Sequence, residues 1–377
     1  MSTRKTTSWQ YSTRCRVTDV AGPMIELRSD TFTLPTRAML DAMTQAPLGN
    51  DVYREDPTVR RLEELVAQKL GKEAACLTPS GTMANLACVL AQVARGQKLL
   101  VSDESDLYRH ESGGASICGG AIYEPITTQP NGRMLIADLA AGLPADPHDP
   151  EFAPASLICV ENTHNRCGGR VLPITYLRQV REFADSAGLP VHLDGARLFN
   201  AAVALDVSPA EIAACADSVQ VCLSKGLSAP VGSVAAGTAV HIERVRRLRK
   251  MLGGGMRQAG VVAAAGIVAL EQMVERLAED HDHARLLAFG LAELPGIEID
   301  PGSVQTNIVM FRTTPARFTP QDLIAAAAAE GVALSGLADQ ARAVTHAGVT
   351  RADIDRALAI IARIVHDANS PASSPRS

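Results

Sequence analysis

The sequence predicts an α/β protein: a large domain built on an open, mostly parallel sheet, then a smaller α+β domain at the C-terminal end. Three observations carry that expectation. Short apolar runs with strand character alternate with helix-length apolar periods between residues 74 and 236. Two successive runs, Val191 to Leu193 and Ser218 to Leu223, end in chemically loaded residues, Asp194 and Ser224-Lys225. Gly253-Gly254-Gly255 then breaks the pattern, and helices and strands follow in a different order.

The bulk numbers narrow the class. At 377 residues the chain suits one large domain and a smaller one. A hydrophobic fraction of 46% supports a sizeable core, and only 3% aromatics with frequent Ala and Gly suits helices packed closely on a sheet. Net charge is -5 with mixed signs, and no tail or face is strongly basic, so neither nucleic acid nor membrane is expected as a partner. The eight cysteines (15, 76, 88, 118, 159, 167, 215 and 222) form no CxxC pair, which reads as a reduced, cytoplasmic protein. No apolar run is long enough to cross a bilayer, and no signal-peptide core is present. Residues 1–23 are polar and irregular ahead of Met24, and read as a disordered extension. The expected division is an arm and large domain over 24–255, a small domain over 256–367 and a disordered tail over 368–377.

Taken in order, Ile25 to Thr31 reads as an arm, followed by a short helix from Arg37 to Thr44. A polar loop holding Tyr53 leads to Pro57, which opens a helix over 58–70 with apolar Val59, Leu62, Leu65, Val66 and Leu70; Gly71 ends it. Ala74 to Leu77 is a strand. Ser80-Gly81-Thr82 follows and leads to an apolar helix over 86–93, so small and hydroxyl residues stand where a helix N-terminus can meet a phosphate. Strands are expected at 98–102, 121–126 and 156–160, the last ending in Glu161-Asn162-Thr163-His164-Asn165. Helices are expected from Asp138 and over 177–187. After Lys225 come a strand at 231–236 and a basic helix at 241–252. Beyond the glycines, helices at 261–277 and 280–294 precede strands at 295–299, 306–311 and 341–345 and helices at 320–330 and 351–365. His281-Asp282-His283 has metal-like spacing but reads as the solvated face of a charged helix; no metal is expected.

Neighbouring strands ending in Asp194 and Lys225 place an acid and an amine at the carboxyl edge of a parallel sheet, where α/β proteins bind ligands. A lysine there forms a Schiff base with a carbonyl, and a carboxylate there holds a protonated ring nitrogen. Pyridoxal phosphate requires that combination.

The chain resembles the L-threonine aldolase (β-eliminating lyase) family of pyridoxal-phosphate enzymes. The matching stretches are LRSDT (27–31), DVYREDPTV (51–59), PSGTMAN (79–85), ENTHN with GGR (161–170), HLDGARLFNA (192–201), CLSKGL (222–227) with APVGS (229–233), and GGGMRQAG (253–260). The resemblance implies the aspartate-aminotransferase-like fold (PLP fold type I) and pyridoxal 5'-phosphate as cofactor. It implies cleavage of L-β-hydroxy-α-amino acids to glycine and an aldehyde, and the reverse addition, in a dimer or dimer of dimers. Lys225 would carry the cofactor and Asp194 would face its ring nitrogen. Ser80, Gly81 and Thr82 would hold the phosphate, with Arg257 reaching it from a neighbouring subunit. Ser29, Arg197 and Arg342 would hold the substrate carboxylate. His164 and Tyr53 would stand near the β-hydroxyl, and Glu111 matches a family acid.

One position departs. Relatives have a ring-stacking histidine five positions before the glutamate, where this chain has Asp106, with His110 one helical turn on. Asp106 is therefore a candidate acid or base, or a contact for a cationic or hydroxylated substrate group. The alternative function is another reaction on the same scaffold: transaldolase, β-elimination or racemisation.

Overall fold

The computed structural model describes residues 24–146, 149–314, 318–337 and 339–369. The extension expected to be disordered, and the tail from residue 370, lie outside the described residues.

The centre is a seven-stranded sheet. Its strands lie in the order Ala74–Thr78, Ser233–Gly237, Ser218–Cys222, Val191–Gly195, Ala155–Glu161, Lys98–Ser102 and Ile122–Ile126. Only Ser233–Gly237 runs antiparallel to its neighbours; the other six are parallel. The middle strands are buried along their whole length, so they read as unbroken apolar runs rather than alternating ones. The carboxyl ends of the six parallel strands open onto one edge, and the register sets Asp194 beside Gln220 and Glu161 beside Asp194.

A four-stranded antiparallel sheet, Ser335–Leu337, Gln340–Val344, Ile308–Thr313 and Ile297–Glu298, forms a separate layer with helices Leu277–Ala292, Pro320–Ala329 and Arg351–Asn369. The cores do not change at residue 255. Helix Gly260–Gln272 places Ala263, Ala265, Ala269 and Leu270 in the core of the large sheet, while the second core takes Ala284 onward. That second core also recruits Ile25 and Leu27 from the arm. Ile25–Glu26 pairs in parallel with Val332–Ala333, a two-residue ladder too short to show a period in sequence.

Three expectations are corrected. The helix after Ser80 spans Gly81–Leu90 rather than 86–93, because Ser80 Oγ accepts from the Met83 amide and caps it there. The helix expected over 261–277 stops at Gln272, and the next begins at Leu277, where the Leu277 and Ala278 amides bond back to the Val274 and Glu275 carbonyls of the intervening turn. His281 and His283 are buried, not on a solvated face: burial takes His281 against the Asn200 amide at 3.1 Å. No metal-binding cluster occurs among the described residues.

Candidate active site

The Asp194 carboxylate is buried at the end of its strand and held by three donors. Oδ1 accepts from Gln220 Nε2 (2.6 Å) and the Ala196 amide (3.0 Å); Oδ2 accepts from Asn85 Nδ2 (2.8 Å). A carboxylate oxygen has about two acceptor positions, so Oδ2 keeps one open. Lys225 follows the adjacent strand by three residues and is half-buried. Burial works against its charge, but the Cys222 sulfur, Asp194 and Asp30 outweigh burial and Arg197, and raise it above lysine's ordinary value. The amine and the acid thus share one polar compartment.

A second group of charges lies beside it. Arg197 grips Asp30 with two bonds, and its Nη1 reaches Asn165 Oδ1 at 3.3 Å. Arg342 Nη2 meets the same oxygen at 3.0 Å, and its Nη1 donates to the Arg28 carbonyl. Arg342 Nε is buried with no hydrogen-bond partner. Burial and the neighbouring Arg197 push Arg342 down to about 10. Two guanidinium groups converging on one amide oxygen make a site short of an anion. Ser29 lies next to it, its Oγ capping the Thr31 amide.

Asp106 joins the same network. Its carboxylate accepts from Asn165 Nδ2 (3.1 and 3.2 Å) and pairs with His110 Nδ1 (2.8 Å). Burial would raise it, yet the His110 bond and the Lys225 charge hold it well below the usual carboxylate range. Glu161 ties the two loops together, accepting from the Asp106 amide on one oxygen and the Asn165 amide on the other, both at 2.7 Å. Burial, then Asp106 and Asp194, raise Glu161 well above its ordinary value.

His164 is fully buried. Its Nε2 lies 3.0 Å from Ser102 Oγ and its Nδ1 has no partner. Burial pushes it down to about 4, so the ring is neutral at ordinary pH.

These groups fit pyridoxal phosphate. The amine and acid face one compartment, and the first two amides of the ten-residue helix Gly81–Leu90 have no acceptor within it. The Gly81 backbone is set close against the sheet: a Cβ there would stand 2.8 Å from Cys222 Sγ. Residues 26–314 match the model of the family described as Beta-eliminating lyase. The chain belongs to the beta-eliminating lyase family. It is 43% identical to low-specificity L-threonine aldolase 1 of Arabidopsis thaliana, across 88% of this chain and 93% of that one. It is 47% identical to the low specificity L-threonine aldolase of Escherichia coli strain K12, across 72% and 80%. Among solved structures, the threonine aldolase of Leishmania major superposes with a TM-score of 0.76 at 19% identity, over 90% of this chain and 98% of that one; that likeness bears on the fold.

Two residues expected at this lyase's site stand apart within the single chain. Tyr53 is 69% exposed, on a turn whose Asp51 pairs with Arg249 and whose Asp51 amide bonds the Arg257 carbonyl. Arg257 is exposed beside it and makes no hydrogen bond to the Ser80-Gly81-Thr82 turn. Both side chains are exposed, on segments joined by that backbone bond.

Sequence reasoning gave no role to Asp30, Asn85, Asn165 or Gln220. Each lies within or near a stretch singled out for another residue. Their signal was polarity without exposure: Asp30 sits between Leu27 and a capped turn, and Asn85 inside an apolar helix.

Proposed function

We propose that this chain cleaves L-β-hydroxy-α-amino acids of the threonine, allo-threonine or phenylserine type to glycine and an aldehyde, and catalyses the reverse addition. The observation that carries this reading is the convergence of Lys225, Asp194 and the two-arginine anion site at one sheet edge. Membership of the lyase family and the threonine aldolases among its relatives support it. Pyridoxal 5'-phosphate is the cofactor. Bound, it supplies a carbonyl carbon for the substrate amine and a ring that accepts electrons as Cα–Cβ breaks.

The chain's residues do the rest. Lys225 would hold the cofactor through Nζ. Asp194, with Oδ2 still open, holds a proton on the ring nitrogen. Ser80, Gly81 and Thr82 take the phosphate at the helix N-terminus. Arg342, through its unpartnered Nε, and Arg197, through Nη1, hold the substrate carboxylate with Ser29, which orients the bond to be broken. His164 Nδ1 takes the β-hydroxyl proton directly or through water, a contribution of roughly 10²–10⁴-fold. Asp106 lies on the same side and tunes which β-substituent is accepted. Arg257 and Tyr53, exposed on adjoining segments, complete the site of a neighbouring subunit, so the working form is a homo-oligomer, a dimer or dimer of dimers. The cytoplasm is the proposed compartment; among the described residues no helix is long and apolar enough to cross a membrane.

The test is an assay of the purified protein with threonine, allo-threonine and phenylserine, following glycine. Wild type should release glycine from at least one. Lys225→Ala should abolish both turnover and the visible absorbance of bound cofactor. Wild-type cleavage by Lys225→Ala, or no glycine from any of the three, would overturn the reading.

A further inference from the structure

Behind Asp194 runs a buried chain of side chains that the cleavage chemistry leaves unused. Gln92 Nε2 donates to Ser218 Oγ (2.9 Å), and Ser218 Oγ lies 2.9 Å from His192 Nδ1. His192 Nε2 lies 3.0 Å from Asn85 Oδ1. Asn85 Nδ2 then donates to Asp194 Oδ2 (2.8 Å) and to Glu111 Oε1 (2.9 Å). Ser218, His192 and Asn85 are all at most 1% exposed.

The donors can be assigned from the partners alone. The Asp194 carboxylate needs a donor, so the Asn85 amide must present its nitrogen to it and its oxygen to His192. His192 must then carry its proton on Nε2. Burial keeps the ring neutral, pushing it down to about 3, so Nδ1 is an acceptor for the Ser218 hydroxyl. Gln92 Nε2 also donates to the Cys88 carbonyl (3.0 Å), but in each link from Gln92 to Asn85 the donor points toward Asp194 and Glu111. Bonds aligned this way polarise one another. Glu111 is pushed up to about 8 by burial and then by Asp194, so at neutral pH it keeps its proton and adds no second negative charge beside Asp194.

We propose that Asn85 is a positioning residue for this reaction: held in one orientation by His192, it fixes Oδ2 of Asp194 and so sets how that carboxylate meets the cofactor's ring nitrogen. The inference rests on the reading of Asp194 as the ring-nitrogen partner. A rotated or unbonded Asp194 would still be an anion, but its open acceptor position would no longer be aimed. A merely structural Asn85 would support helix Gly81–Leu90 against the sheet, and its loss would lower the melting temperature while leaving cofactor spectroscopy alone.

The experiment uses the holoenzyme. Asn85→Ala, Asn85→Ser, His192→Leu, His192→Gln and Asp194→Ala are compared by the pH midpoint of the visible cofactor absorbance, the cofactor dissociation constant, and kcat and KM separately. Asn85→Ala should move the midpoint, weaken cofactor binding roughly tenfold, as loss of an outer partner of a functional ligand does, and lower kcat with KM little changed. His192→Leu should shift the same readouts in the same direction, and His192→Gln, whose amide can donate to Asn85 Oδ1, should restore them. Asn85→Ser serves the same purpose if the alanine variant does not fold. Unchanged absorbance, midpoint and kcat in the Asn85 variants, with all three altered in Asp194→Ala, would overturn the role of Asn85 alone. Unchanged readouts in Asp194→Ala as well would overturn the reading of Asp194 and this inference with it.

Discussion

Arg197 closes a two-bond fork on Asp30, Nε to Oδ2 at 2.7 Å and Nη2 to Oδ1 at 2.6 Å, with both side chains buried. The arm thus reaches across the chain to hold the arginine that follows the Asp194 strand. Most of the guanidinium is committed to this partner, and only Nη1 is left to share Asn165 with Arg342. Two buried charges are tolerated here because each satisfies the other; breaking such a pair by removing one partner is costly.

Replacing Asp30 should therefore unfold the site from the arm inward. Asp30→Asn leaves Arg197 buried without a counter-charge and should cost about 3–5 kcal/mol in denaturant unfolding. The pH dependence has a definite sign. Burial would raise Asp30, but Arg197 dominates and its folded value lies below its ordinary 3.8. Its contribution is then fully present above that value and is lost as pH falls through the depressed one. Wild type should lose stability on the acid side faster than Asp30→Asn does. Identical acid limbs would show that the pair does not stabilise the fold.

His164 is assigned as the base on geometry, and its pH profile checks it. Burial holds the ring neutral down to about pH 4. An acid limb in kcat/KM from this group should fall near 4 rather than at histidine's ordinary 6.5. His164→Phe should lower kcat by roughly 10²–10⁴-fold and remove that limb. A variant that keeps wild-type kcat would move the base elsewhere in the site.

Asp106 is the position where this chain parts from the pattern its motifs otherwise follow. Its charge is braced by His110 and Asn165 and is felt by Lys225. Asp106→His removes that charge and should shift the ratio of kcat/KM for threonine over phenylserine toward threonine by about tenfold, one factor of ten in differential transition-state binding. The same ratio in variant and wild type would mean that the carboxylate does not select the substrate.

Much of the fold was legible because local chemistry dictates it. Lys98–Ser102 is a strand in the expected place, and Gly71 ends its helix in a left-handed conformation, with its amide bonded back into the last turn. Ser80, Gly81 and Thr82 were read as a phosphate-facing stretch ahead of a helix, but the apolar stretch after Asn85 drew the expected helix five residues too late, since a helix start with Gly and Thr carries little apolar period. The arm is a different case. Ile25 and Leu27 were expected to lead into the large domain, and only the finished packing puts them in the second core.

The sequence by itself determined that an amine and an acid stand at or past the ends of neighbouring strands, because apolar runs buried in a parallel sheet leave polar groups nowhere else to emerge. It also determined the family, through long motifs in one order. The tertiary structure alone decided what surrounds them. Asn165 joins Asp106, Arg197 and Arg342 across separations of 59, 32 and 177 residues, and Asn85 meets Asp194 across 109. No local period encodes such contacts. Burial decides them, because a polar side chain removed from water must find its partners wherever the fold has brought them.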